Sequence, residues 1–563
     1  MTTLLLQKLK EYAERSPAAD LPAMYLQTPI KWLIHLDLEG KFLGFVSTTG
    51  AAKRKNDRGK EYPAPSLVRS SGIKPKLLAD RADYVLGFIE EDAKPKDKKR
   101  AQECHNAFVA LVRNCARATR APEVLAVERF LDTLDLTTLP LPPDMASGDN
   151  VTFVVNGMMP IDLPAVQEFW ARKQASSEEL AQCLVCGKLK PPMKRQPIKI
   201  KGIPGGQPSG MALVSANANA FESYGLEASL VAPICQECAE GYGRALEQLI
   251  RREDTHLTIG PCVYLFWTRE DADFSPVSIL ASPEPSDVKT LLNSVYGRRE
   301  PLPLNPTDFY AVALSSSGAR VAVRDWVVTT VGEVQKNLAR YFRLQRLADR
   351  DGQPVGLFPL VASLVPASKD IRANLPEAFI NLAIKGTPLP RWILYEAVRR
   401  SAVEQRVTRP RACVIKMALL SQEKEIREDG YMEQLDLTNR DPAYLSGRLL
   451  AVLEFIQEAA SPGIKATIVD RYYGTASSAP ASVYGRLLRT TQSHLSKLRK
   501  EKRGAYTVLQ RLLQEVLAGL NAFPATLNLQ DQALFALGYY HQRAAGWSAG
   551  AATAEKDLPK DEE

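Results

Sequence analysis

The chain has 563 residues, 45% of them hydrophobic and 24% charged, an ordinary globular balance with room for roughly two to four domains. No stretch approaches the ~20 uninterrupted apolar residues of a membrane-spanning helix, and no cleavage region follows the opening MTTLLLQKLKEYAERS. The reading is therefore a cytoplasmic protein with reduced thiols and no membrane partner, and its net charge of +8 points to a polyanion.

The opening segment reads as an amphipathic helix, and Ile30 to Val46 alternates apolar and polar residues around Glu39-Gly40 as a hairpin does. Two basic runs follow: Lys53-Arg54-Lys55 with Arg58 and Lys60, then Lys94, Lys96, Lys98, Lys99 and Arg100. Each run alone reads equally well as a solvated surface loop. Ala107 to Leu134 is helical in pattern, Pro140, Pro142 and Pro143 mark a turn, and Val151 to Met158 reads as a strand. A further helical stretch, Leu163 to Leu184, leads into two Cys-x-x-Cys knuckles.

Cys183-Leu-Val-Cys186 and Cys235-Gln-Glu-Cys238 supply four thiolates, the donor set of a structural zinc site. The 48 residues between them exceed the roughly 15–20 of a compact ribbon, so the site would clamp an insertion, about 183–238, inside something larger. Four protein ligands leave no open coordination position, which predicts folding stability and not hydrolysis. A redox pair or ordinary buried cysteines account less well for two matched pairs. Cys104, Cys115, Cys262 and Cys413 stand alone and read as small apolar packing residues.

Between the knuckles runs Lys199-Ile-Lys-Gly-Ile-Pro-Gly-Gly-Gln-Pro-Ser-Gly210, followed by Asn217-Ala-Asn219 and Phe221 to Gly225. Its glycines allow close backbone approach, but no Gly-Lys-Ser/Thr closes it, so it is not a P-loop. Phe309 to Leu314 and Ala319 to Val323 read as a hairpin feeding a helix from Val331 to Leu347. Beyond Arg391 helical periodicity takes over. Leu445, Leu449, Val452 and Ile456 form one stripe, as do Leu509, Leu513, Val516 and Leu520. Between them, Tyr484, Leu488, Thr491, Leu495 and Leu498 share one side of a helix; Arg486, Arg489, Lys497 and Lys500 fall on the other within an arc of about 80°. The expected fold is α+β: a mixed N-terminal region, 1–410, with β-hairpins and the zinc-knuckle insertion, then an all-helical bundle, 411–563.

These residues carry a resemblance. Leu445-Ser-Gly-Arg-Leu-Leu-Ala-Val-Leu-Glu454, Gly463-Ile-Lys-Ala-Thr467, Arg471-Tyr-Tyr-Gly-Thr-Ala-Ser477, Pro480-Ala-Ser-Val483, His494-Leu-Ser-Lys-Leu498 and Leu534-Phe-Ala-Leu-Gly-Tyr-Tyr-His-Gln-Arg543 resemble the C-terminal signature of the large subunit of the type I-C CRISPR Cascade complex. Arg69-Ser-Ser-Gly-Ile-Lys-Pro-Lys76, Asp83-Tyr-Val-Leu-Gly87 and the Lys201 to Gly225 loop resemble its N-terminal half in the right order. Lys76 departs from the pattern, standing where an asparagine-like residue is expected.

The resemblance implies a non-catalytic subunit of an RNA-guided surveillance complex, in which guide pairing reads the target and the protein reads a short protospacer-adjacent motif in duplex DNA. It implies R-loop formation, recruitment of a helicase–nuclease for antiviral defence, and as partners the guide RNA, target duplex, displaced strand, Cascade backbone and handle-binding subunits and a small helical subunit. Expected motif readers are Lys74 and Lys76, or Gln207, Ser209, Asn217 and Asn219. Expected strand-backbone contacts are Arg486, Arg489, Lys497, Lys500, Lys502 and Arg503. In this subtype the small subunit arises from an internal start, and Met432 would open a product of residues 432–563. A nuclease or deaminase is the less supported class: His35, His105, His256, His494 and His541 form no pair at i, i+4 and no His-x-Glu beside a knuckle. A stand-alone zinc-containing nucleic-acid-binding protein is the other alternative.

Overall fold

Leu5, Leu6, Leu9 and Ala13 recur at helical spacing and are all buried, making Thr2–Arg15 the helix α1. The computed structural model describes residues 2–16, 21–50, 57–67, 69, 72–174, 180–216, 218–270, 272, 274–296, 305–423 and 431–556; Lys53, Arg54, Lys55 and Asn217 lie outside them. The chain divides into two units, one of residues 1–251 with 316–322, the other of 252–315 with 323–563.

In the first unit β1 (Tyr25–Ile30) pairs antiparallel with β4 (Lys60–Pro65). β2 (Trp32–Leu36), β3 (Phe42–Ser47), β5 (Ala79–Arg81) and β6 (Asn150–Val155) form a sheet in the order β3-β2-β6-β5. The expected hairpin is β2–β3, and Gly40 takes its turn at φ +87 because a Cβ there would meet the Ala126 carbonyl. β2 and β6 are parallel, Trp32 opposite Val151, so a crossover is needed. The chain between them supplies α2 (Ala82–Val85), α3 (Pro95–Thr119) and α4 (Pro122–Asp132). Phe108, Val112, Val127 and Phe130 of α3 and α4 share a buried core with Ile34, Phe153 and Val155 of the sheet.

The helical pattern of Ala107 to Leu134 is thus two helices. Arg120 caps α3 in the left-handed conformation, and Pro122, which has no N–H to satisfy, opens α4. Among the described residues of the stretch expected as helix from Leu163 to Leu184, the helix is α5 (Pro164–Gln174). Nearer the first knuckle, β7 (Ala181–Gln182) pairs with β8 (Leu189–Lys190), since a turn that aims two sulfurs inward needs extended arms. α6 (Gln236–Arg251) closes the unit's main segment.

The second unit holds most of a sheet ordered β12-β11-β10-β9, from β9 (His256–Ile259), β10 (Cys262–Thr268), β11 (Asp308–Ser317) and β12 (Arg320–Thr330), residues 316–322 at the β11–β12 turn counting with the first unit; α7 (Pro276–Ala281) and α8 (Pro285–Tyr296) are inserted before β11. Cys262, Tyr264 and Phe266 alternate along β10 and enter the core with Phe309 and Ala311 of β11. Thr330 caps α9 (Val331–Gln345), its hydroxyl accepting the Glu333 N–H at 3.3 Å. Helices continue through α10 (Leu357–Ala362), α11 (Asn374–Lys385), α12 (Arg391–Glu404), α13 (Arg409–Leu420), α14 (Pro442–Ala460), α15 (Val469–Ala476), α16 (Pro480–Glu501), α17 (Arg503–Ala518) and α18 (Leu529–Lys556).

The helical part therefore begins at Val331, well before Arg391, and position 411 falls inside α13. One core runs from Ile259 to Tyr540, joining sheet and helices. α14 also departs from the single-stripe expectation. Tyr444, Leu445, Leu449, Leu450, Val452, Leu453 and Ile456 are all buried, so it is a central helix covered all round. Among the described residues no helix is long and apolar enough to cross a membrane.

Candidate functional site

Gly187, at φ +72, turns the first knuckle; its N–H donates to the Cys183 carbonyl at 2.8 Å, and the Cys183 N–H donates to the Lys188 carbonyl at 3.0 Å. Cys235 immediately precedes α6 and Cys238 lies in its first turn, where the helix dipole favours negative sulfur. The knuckles are tied by backbone: the Leu184 N–H donates to the Pro233 carbonyl and the Met193 N–H to the Ile234 carbonyl, both at 2.9 Å. All four Sγ atoms lie within 4.8 Å of one another, Cys186 and Cys235 at 3.9 Å. Four sulfurs about 2.3 Å from one ion stand about 3.8 Å apart, so the set fits tetrahedral zinc.

Burial raises the Cys183 thiol, but the N–H groups of Cys186, Cys235 and Val185 outweigh it and bring the group down to about 7. Burial holds Cys235 and Cys238 above the usual thiol range. The four thiols could hold a metal ion, and an all-sulfur set would close its coordination. Beside them, α1 docks through Gln7, whose Nε2 donates to the Val185 carbonyl at 2.8 Å.

The loop between the knuckles is pinned by reciprocal hydrogen bonds of 2.8 Å between Ile200 and Met211. Gly210, at φ +85, lets the stems of Lys199 and Lys201 pack against its backbone. Gln207 and Asn219 line one cavity of about 420 Å³ with Lys194, Arg195 and Lys199. Ser209 is exposed and does not line it. On the same unit the Arg320 guanidinium stacks 4.1 Å from the Phe221 ring centre, and Tyr224 is 98% exposed. Lys194, Arg195 and Arg320 went unread in the sequence. The first two were visible as a basic pair next to the first knuckle; Arg320 comes from a hairpin distant along the chain and left no local signal.

Lys74 and Lys76 sit on a second loop, held from below by Asp80. The buried Asp80 carboxylate accepts from the Arg69 guanidinium and from the N–H groups of Lys76 and Arg81, both at 2.8 Å. Arg69 Nε in turn donates to the Lys74 carbonyl at 2.7 Å, and its guanidinium lies 4.0 Å over the Tyr84 ring. Lys74 is left exposed and Lys76 half-buried. Burial pushes the Lys76 ammonium down; Asp80 opposes that, while Arg69, Lys201 and Arg81 add to it. Lys201 belongs to the inter-knuckle loop.

In the second unit α16 buries Tyr484, Leu487, Thr491, Leu495 and Leu498. Arg486, Arg489, Lys497, Lys500, Lys502 and Arg503 are all exposed. Lys497 reaches Glu501 at 4.0 Å, and Lys502 Nζ donates to the Ala459 carbonyl at 3.2 Å.

A family model described as CRISPR-associated protein (Cas_Csd1) matches residues 7–547. The chain belongs to this CRISPR-associated family. It is a Cascade-type protein, and other Cascade components are its partners. No curated protein matches the chain significantly. The C-terminal segments singled out in the sequence are mostly internal. Arg448 is 1% exposed and bonds Gln542 and Glu515, each at 3.0 Å. Glu454 accepts from Tyr539 at 2.8 Å and pairs with Arg543 at 2.7 Å. These buried pairs hold the bundle together, whereas Lys465, Arg471 and Lys497 of the same segments are exposed.

Proposed function

We propose that the chain is the non-catalytic large subunit of a type I-C Cascade complex, which reads the protospacer-adjacent motif in duplex DNA, promotes R-loop formation and helps recruit the helicase–nuclease. The observation that carries this reading is the polar cavity of the inter-knuckle loop, where Gln207 and Asn219 stand with Lys194, Arg195 and Lys199, alongside a second loop on which the Asp80 anchor holds Lys74 and Lys76. Reading base edges needs short polar groups on backbone that can come close, with cations nearby to hold the phosphates. Guide pairing supplies the remaining specificity.

The exposed cations of α16, with Lys502 and Arg503, supply phosphate contact along a separated strand. Zinc at Cys183, Cys186, Cys235 and Cys238 is structural: it fixes the insertion that carries the inter-knuckle loop. The small helical subunit is the product begun at Met432, which comprises α14 to α18; Met417 is buried within α13 and is the poorer start.

The test is purification of the tagged chain with its neighbouring gene products, followed by binding of target duplexes with randomised flanks at defined salt. Guide RNA in the complex, flank-dependent affinity and a small product that vanishes when the Met432 codon is changed are expected. A lone chain binding DNA without flank preference would replace this reading with that of a stand-alone zinc-containing nucleic-acid-binding protein.

A further inference from the structure

The second basic run, Lys94 to Arg100, opens α3, and the fold gives it a continuation that the linear sequence hides. Cys104, Phe108, Leu111, Val112 and Cys115 bury one side of this helix. At 100° per residue, Lys99, Gln102, Asn106, Arg113 and Arg117, with the capping Arg120, fall on the opposite side within an arc of about 60°. All six are exposed. From Lys99 to Arg117 the row is about 27 Å long at 1.5 Å per residue.

A solvated helix face ordinarily mixes signs at i, i+4, because opposite charges there stabilise and like charges repel by about 0.2–0.5 kcal/mol per pair. This row places Arg113, Arg117 and Arg120 at successive steps of four and three. Arg113 meets Asp132 at 2.6 Å, but both partners are more than two-fifths exposed, where such a pair contributes little. Lys99, Arg117 and Arg120 have no ion-pair partner among the described residues. Asp132 and Glu128 act on Arg113, and the exposed Glu103 stands one turn from Lys99, but Arg117 and Arg120 face no such carboxylate along the row, and an anion from outside would relieve the repulsion that is left.

We infer that the outer face of α3 is a track for the phosphate backbone of double-helical DNA, bound without regard to sequence. The ligand is a duplex because the row is straight, rigid and free of aromatic side chains, whereas single-strand surfaces use aromatic rings on which bases stack. Gln102 and Asn106 add amide donors for phosphate or sugar oxygens. The inference rests on the proposed DNA-binding role and extends it to duplex beyond the motif.

The test uses the assembled complex carrying Lys99→Gln, Arg113→Gln and Arg117→Gln together, titrated with salt against a duplex unrelated to the guide. Each lost phosphate contact removes about 0.9 from the log–log salt slope, so a fall of about 2–3 and at least about tenfold weaker binding near 0.1 M salt are expected. Arg117→Gln alone should lower the slope by about 0.9 if the triple variant folds poorly. Neutralising the exposed Lys289, Lys336 and Lys369 instead should leave the slope unchanged. An unaltered slope in the α3 variants, an equal fall in this control, or loss of guide RNA with duplex binding intact would overturn the inference. Lack of flank preference in the wild-type complex would sink the motif reading alone, since the salt slope is measured on unrelated DNA.

Discussion

Cys186 is the one half-exposed member of a thiol set whose other three members are buried. That pattern suits a staple holding an insertion to α6, with no open position for substrate. Because such a site barely exists in an unfolded chain, metal binding and folding of the insertion are one equilibrium. Replacing Cys183 and Cys235 by Ser should abolish zinc retention by elemental analysis and speed proteolysis between residues 180 and 240 by at least about tenfold. Undiminished metal in the double variant would remove the site. The spacing of the four cysteines is local information and was legible in the sequence. The Asp80 anchor beneath Lys74 and Lys76 was not, because it acts through backbone groups that sequence does not single out.

At the scale of elements, α14 and α18 cross closely enough to exclude side chains. A Cβ at Gly447 would run into the Phe535 carbonyl, and one at Gly538 into the Tyr444 carbonyl. Gly447→Ala and Gly538→Ala should therefore each destabilise the second unit, although alanine favours a helix, by about 2–3 kcal/mol in chemical denaturation. A neutral or stabilising effect would mean that the helices are further apart than described. The same crossing explains why periodicity misled for α14 and served for α16. A helix with one wet face shows its stripe, whereas a helix buried on every side has none to show.

For the molecule as a whole, acid should act through the interior of the second unit. Burial holds His541 down to about 4, with the Lys416 charge adding to the effect, and its Nδ1 lies 3.1 Å from the Tyr444 hydroxyl. The folded chain keeps this ring neutral while the unfolded chain protonates it near 6.5, so its contribution is full above about pH 6.5 and is lost as the pH falls toward 4. Urea unfolding should show about 2 kcal/mol less stability at pH 5 than at pH 7 from this group, a difference that His541→Gln should remove. An unchanged difference in the variant would assign the acid sensitivity elsewhere.

The sequence by itself determined what short-range spacing encodes: the four thiols, the β2–β3 hairpin, the basic face of α16 and membership in a CRISPR-associated family. Tertiary structure decided how residues far apart in the chain combine. It made one core of sheet and helices across position 411, gathered Lys194 and Arg195 with Gln207 and Asn219, and turned a lysine run into a long face of α3. The reason is physical: periodicity records which side of an element avoids water, whereas the neighbour that covers it, or the charge that meets it, is chosen by the packing of the whole chain.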